Sequence, residues 1–178
     1  MSRIVIGFCG LAGAGKTTAA RFMEEEWGFQ RMSFAGPLKD MCRNILSLRQ
    51  TALDLKEVPD PDLCGKSPRQ FMQLLGTEFG RELIGPDLWV NLWRREVERE
   101  VLVEGHASIV MDDVRFPNEA AAIRDMGGIV IKLERPGAGS ATGACHISEQ
   151  MAFSPDFTIA AKSIEDLHNR LRALNWSM

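Results

Sequence analysis

The chain has 178 residues, 45% of them hydrophobic and 25% charged, which suits one soluble globular domain with a sizeable core. A net charge of −3 gives no basic excess, so stable binding to nucleic acid is not expected, and no apolar run approaches the roughly 20 residues that span a bilayer. Cys9, Cys42, Cys64 and Cys145 lie far apart with no Cys-x-x-Cys pair, which argues against a zinc site or a disulfide framework and for a reducing cytoplasm.

Residues 3–9, RIVIGFC, are rich in β-branched and aromatic types up to Gly10 and are expected as a buried strand. The same apolar run imitates a secretory leader, but only Arg3 precedes it and glycines interrupt it. KTTAARFMEEEW follows with Ala19, Phe22, Met23 and Trp27 at helical spacing, opposite Glu24–Glu26. Residues 29–34 are expected as a second strand. A helix starts near Pro37, with Leu38, Met41, Ile45 and Leu48 on its apolar side. Residues 49–67 hold Pro59, Pro61 and Gly65 among charges and are expected as a loop.

From Pro68 a single helix is expected, with Phe71, Leu74, Leu75 and Phe79 turned inward. IGPD breaks it, and Asp87 is placed to cap the next helix, where Trp89, Trp93, Val97 and Val101 share one side. That tryptophan-rich helix is a candidate homodimer face. Residues 108–111 are expected as a strand, 117–126 as a short helix and 129–133 as a strand. A glycine-rich loop then leads to an edge strand at 157–161, and Ser163 caps a last helix running to Trp176. Strands alternating with helices predict an α/β fold with a mainly parallel sheet, which gathers ligands at the carboxyl ends of its strands.

Residues 10–17, GLAGAGKT, fit G-x-x-x-x-G-K-[ST] without a mismatch. The chemistry needs this pattern. Gly10, Gly13 and Gly15 let backbone N–H groups of a loop that includes Ala14 turn toward phosphate oxygens. The following helix adds its positive end, Lys16 supplies a full charge, and the hydroxyls of Thr17 and Thr18 stand beside it, Thr17 placed for Mg²⁺. Asp112 and Asp113 close the strand at 108–111. In P-loop proteins an acidic residue there holds the metal, so Asp112 and Thr17 are the candidate Mg²⁺ ligands. Two adjacent carboxylates also call for a nearby cation, and Arg115 is suited to grip phosphate with its planar guanidinium. Arg69 and Arg81 lie between the two phosphate-facing stretches, although each alone is more often a surface arginine. Trp89 is a base- or ribose-stacking candidate, although a tryptophan on an amphipathic helix is more often core. His146 on its own carries little.

These residues resemble the phage-type deoxynucleoside monophosphate kinases over most of the chain. The resemblance rests on the P-loop, FAGPLKDMC (34–42), LLGTEFGRELIGPDLWV (74–90), DDVRFPNEAAAIRDMGGIVIKLERPG (112–137) and HISE (146–149). It implies a three-layer α/β/α P-loop kinase fold in one domain, 1–178, with a helical acceptor-binding insertion at about 36–105 and a lid-like loop at about 136–148. The implied reaction is ATP + dNMP → ADP + dNDP with Mg²⁺, in the host cytoplasm if the chain is phage-encoded. The implied catalytic groups are Lys16, Arg115 and Asp113, and Arg135 flanks the nucleotide at the lid. The implied acceptor pocket comprises Leu38, Lys39, Arg69, Gln73, Gly76, Thr77, Arg81, Trp89, Asp113, Arg115 and Glu119.

Two departures stand out. The family often has a polar residue and Lys-Asp-Thr in the loop, where this chain has Ala12, Ala14 and Lys16-Thr17-Thr18. The loop PGAGSATGAC also lacks the arginines of many nucleotide kinase lids. Two other readings fit the residues. One is a kinase for a hydroxyl of a metabolite or modified base, with Asp113 as its general base. The other is a nucleotide-binding switch without catalysis.

Overall fold

Alternate residues of the first strand, β1 (Ile4–Cys9), point to opposite sides of a sheet, and both sides are apolar, so the strand belongs in the middle. The computed structural model, which describes residues 4–46, 57–102, 105, 108–139, 152–174 and 176, has it there. The sheet order is β2 (Gln30–Met32), β3 (Ser108–Met111), β1, β4 (Ile129–Glu134), β5 (Phe157–Ala160). All its pairings are parallel, with Ile4 opposite Ser108 and Ile6 opposite Ile129. The carboxyl ends of the strands share one rim, where Gly10, Ser33, Asp112 and Arg135 follow their strands.

Helices cover both faces. Ile6 and Phe8 of β1, Ile131 and Leu133 of β4, and Ile159 of β5 pack against α1 (Lys16–Trp27) and α6 (Ile164–Ala173). The helices contribute Ala19, Ala20, Phe22, Met23, Leu167 and Leu171 to that layer. Each large side chain fully buried there stabilises the fold by about 1.5–3 kcal/mol. On the other face β1 meets α5 (Pro117–Asp125) so closely that a Cβ on Gly7 would lie 2.4 Å from Ile123 Cδ1. The bounds of α1 coincide with those expected, because Gly28 ends it at φ 67° with its N–H on the carbonyls of Glu24 and Met23. Ser163 caps α6 by accepting from the Asp166 N–H at 3.1 Å.

The chain forms two compact units, one of Met1–Phe34 with Arg94–Met178 and one of Ala35–Trp93. The first holds the sheet with α1, α5 and α6. The second contains α2 (Gly36–Leu46), a 3-10 turn (Pro61–Leu63), α3 (Pro68–Leu74) and the start of α4 (Leu88–Leu102). Ser67 begins α3 with a reciprocal cap: its hydroxyl accepts from Gln70 N–H at 3.3 Å, and its own N–H donates to Gln70 Oε1 at 2.9 Å.

The single helix expected from Pro68 is instead two segments, because α3 passes into a π-helix over Leu75–Ile84. Its inward residues are Gly76 and Gly80, while Phe79, expected inside, is 40% exposed. The cause is Trp89. Its indole fills the space beside Gly80, where a Cβ would lie 2.5 Å from the ring, and its Nε1–H donates to the Gly76 carbonyl at 2.8 Å. The widened turns present two glycines to one large ring, a tertiary demand that overrides helical periodicity. Trp89 is 3% exposed and Trp93 fully buried, so the tryptophans of α4 offer no aromatic dimer face. Residues 47–56, the lid residues from 140 onward and His146 lie outside the described residues.

Candidate active site

The loop between β1 and α1 is shaped by three left-handed glycines, Gly10 (φ 134°), Gly13 (φ 78°) and Gly15 (φ 100°). Gly10 has a second reason to lack a side chain, since a Cβ would lie 2.4 Å from the Leu133 carbonyl oxygen at the end of β4. Ala14 is buried, and its N–H closes a turn on the Leu11 carbonyl at 3.1 Å. Lys16 folds over this loop, its ammonium donating to the carbonyls of Gly10 (2.7 Å) and Leu11 (2.9 Å). Thr17 is exposed and Thr18 half-buried in the first turn of α1. The expected loop residues therefore come together as one cradle at a helix N-terminus, a ready site for anionic oxygens.

A cavity of about 480 Å³ opens beside the cradle, lined by Leu11, Ala14, Leu133, Pro136, Ala138 and Ala160 together with Lys132, Glu134 and Arg135. Arg135 stands at its P-loop side, with a guanidinium nitrogen 3.5 Å from where a Cβ of Gly13 would be. The chain after Arg135 rests on the cradle, with Gly139 N–H donating to the Ala12 carbonyl at 3.1 Å. Cys9 closes β1 beneath the loop. Burial pushes its thiol up to about 11, against the pull of Lys132 and Lys16, so it supplies no thiolate.

After β3, Asp112 and Asp113 are both half-buried but differ in their bonding. Asp113 accepts from Ser33 Oγ at 2.6 Å and from the Phe34 N–H at 3.1 Å, joining the ends of β2 and β3. The carboxylate of Asp112 makes no hydrogen bond or ion pair among the described residues. Arg115 is exposed. Its backbone is held from within: Glu119, 3% exposed, accepts the N–H groups of Arg115 (2.7 Å) and Phe116 (3.0 Å), both on Oε2. Glu119, expected to line the acceptor pocket, holds with one carboxylate oxygen the turn that carries Arg115.

Magnesium is the metal that the resemblance implies. No group of three or more His, Cys, Asp or Glu side chains suited to a metal occurs among the described residues. Asp112 and Thr17 offer the oxygen donors that Mg²⁺ prefers, and Mg²⁺ takes most of its ligands from phosphate and water.

The remaining expected residues lie in the second unit. Leu38 packs on Gly76, where a Cβ would be 2.9 Å from its Cδ2. Arg69 pairs with Glu57, and Arg81 donates to the Pro86 carbonyl at 3.3 Å. Gln73 and Lys39 are exposed and Thr77 half-buried. Trp89, a stacking candidate, is core. Sequence reasoning missed Ser33, Lys132 and Glu134. Only the last two left a signal: charges at alternate positions of the otherwise apolar strand IVIKLE.

Comparison with known proteins gives a consistent result. Residues 64–171 match the deoxynucleotide monophosphate kinase family. Over 184 residues the chain is 34% identical to a protein of Acanthamoeba polyphaga mimivirus assigned as a deoxynucleotide monophosphate kinase, covering 94% of each. A stretch of 59 residues is 37% identical to the deoxynucleoside-5'-monophosphate kinase of Escherichia phage T5, covering 33% of this chain and 22% of that one. A Thermus thermophilus crystal structure shares the fold with a TM-score of 0.56 at 17% identity, covering 97% of this chain and 96% of the other. An unliganded sugar kinase from Janibacter sp. does so with a TM-score of 0.50 at 16% identity, covering 97% and 94%.

Proposed function

Since this chain belongs to the deoxynucleotide monophosphate kinase family and phosphorylates deoxynucleoside monophosphates, we propose that MgATP is its phosphoryl donor and that the P-loop and the cavity beside it hold that donor. The observation that carries this reading is the continuity of the Gly10–Thr17 cradle with an apolar cavity of about 480 Å³. One part suits a polyphosphate and the other a flat base. The phosphates take the loop N–H groups and draw the Lys16 ammonium away from the carbonyls of Gly10 and Leu11. Arg135 covers the phosphates from the lid side. Asp112 and Thr17 hold Mg²⁺, which adds positive charge to the donor phosphates when bound.

An acceptor monophosphate oxygen is already anionic. It attacks the γ-phosphorus in line, the new O–P bond forming as the bond to the β-bridging oxygen breaks, and no general base is needed. Asp113 accordingly acts as an anchor for the chain at Ser33 and Phe34, not as a base. Arg115 neutralises charge on the transferring group, and Glu119 positions it. Leu38, Lys39, Arg69, Gln73, Gly76, Thr77 and Arg81 of the second unit are the acceptor-binding residues, with Trp89 supporting them from the core.

The test uses purified protein with MgATP and each common deoxy- and ribonucleoside monophosphate, scored for diphosphate product, with Arg115→Ala alongside. Arg115→Ala should lower turnover by about 100-fold or more, the range seen when a transition-state charge partner is lost, with less than about threefold change in ATP affinity. Equal losses in turnover and ATP affinity would make Arg115 a structural residue.

A further inference from the structure

Lys132 and Glu134 are the two charged residues of β4. They occupy alternate positions on one face of β4, an otherwise apolar strand, at its carboxyl end. Their ion pair is 2.7 Å long, with side chains 30% and 48% exposed, and a pair so exposed adds little to stability. Both line the cavity beside the P-loop, whose other walls, apart from Arg135, are apolar. Arg135 is turned toward Gly13 and the phosphates. The polar edge of whatever base fills the cavity therefore meets one ammonium and one carboxylate, side by side.

We propose that the Lys132–Glu134 pair reads the donor's base, and that it accepts 6-amino and 6-oxo purines alike, so that GTP serves as well as ATP. This rests on the cavity being the donor site. Adenine presents an exocyclic amino donor next to a ring-nitrogen acceptor, and guanine a carbonyl acceptor next to a ring N–H donor. A carboxylate beside an ammonium satisfies either edge, since both side chains are flexible enough to exchange order. Pyrimidines offer the same kinds of groups but fill less of the apolar cavity, so they bind more weakly.

Each half of the pair alone prefers a different purine. With Lys132 gone, the Glu134 carboxylate can accept from two adjacent guanine donors, the ring N–H and the 2-amino group, but from only the amino group of adenine. With Glu134 gone, the Lys132 ammonium can donate to the adenine ring nitrogen or to the guanine carbonyl, but it leaves two guanine donors unpaired and only one of adenine. The experiment measures binding of ATP, GTP and CTP to the full chain by displacement of a fluorescent ATP analogue without acceptor, and kcat/KM with each donor, for wild type, Lys132→Met and Glu134→Leu. Wild type should use ATP and GTP within about tenfold of each other and CTP less well. Lys132→Met should shift the ATP/GTP ratio toward GTP by about tenfold and Glu134→Leu toward ATP by as much, the scale of one charge-assisted hydrogen bond. A ratio that stays fixed, or moves the same way in both variants, would overturn the proposal while leaving the donor site in place. So would a wild-type preference for ATP beyond about 100-fold. Failure of every nucleoside triphosphate to bind wild type would overturn the donor-site reading and this proposal with it.

Discussion

Replacing Glu119 isolates how much of the site's geometry depends on one buried carboxylate. It is 3% exposed, and two backbone N–H groups, from Arg115 and Phe116, converge on its Oε2 at 2.7 and 3.0 Å. Charge-assisted hydrogen bonds contribute about 1.5–3 kcal/mol each and neutral ones about 0.5–1.5. Because both of these bonds use a single oxygen, glutamine can set its carbonyl oxygen in the same place and keep them as neutral hydrogen bonds. Glu119→Gln should then cost about 2 kcal/mol. Alanine removes both bonds, admits some water in return, and should cost about 3 kcal/mol. In urea, at a slope near 2 kcal/mol/M, these become midpoint shifts of about 1 M and about 1.5 M. Turnover assays of the same proteins below the transition should show Glu119→Ala approaching Arg115→Ala in turnover, with ATP binding kept. Full turnover in folded Glu119→Ala would refute the idea that this carboxylate presents Arg115.

Gly10→Ala puts a Cβ 2.4 Å from the Leu133 carbonyl at φ 134°, so ATP binding should vanish and the melting temperature fall, both readable by calorimetry. Gly80→Ala sets a methyl 2.5 Å from the Trp89 ring and should cost about 1–3 kcal/mol in urea unfolding. The Asp166 carboxyl is held below its ordinary 3.8 by the Lys162 N–H and then by Arg170. Its contribution to α6 is therefore full above that value and fades as pH falls toward the lower folded-state pKa, and Asp166→Asn should flatten that acid limb of the stability curve. At pH 8 an alkylating reagent should label exposed Cys64 in the native protein and spare buried Cys9 and Cys42, as peptide mapping would show.

What the sequence disclosed and what it concealed follow one physical division. The P-loop, α1 and the cap at Ser163 are local devices, and local residue types announce them. The π-helix was hidden because its cause, the Trp89 ring against Gly76 and Gly80, acts across a chain reversal. The partner of Asp113, Ser33, lies 80 residues away, and nothing near either residue signals the pairing. Glu119 was expected as a ligand by resemblance, yet its position three residues after Phe116, at the start of a helix carrying Pro117, is a capping pattern, and the capping role is the one its hydrogen bonds display. In the strand IVIKLE the charges were visible, but only the cavity beside them gives them meaning.

The position of β1 has a consequence for biosynthesis. Its two sheet neighbours begin at Ser108 and Ile129, so once made this strand waits for α1, β2, α2, α3 and α4 before either one arrives. During that interval IVIGFC is an unpaired, nearly uncharged β-forming segment, the kind that associates with its own copies. Closing such distant pairings is slow, and chaperone supply during expression should set the yield of folded enzyme more strongly than its final stability does.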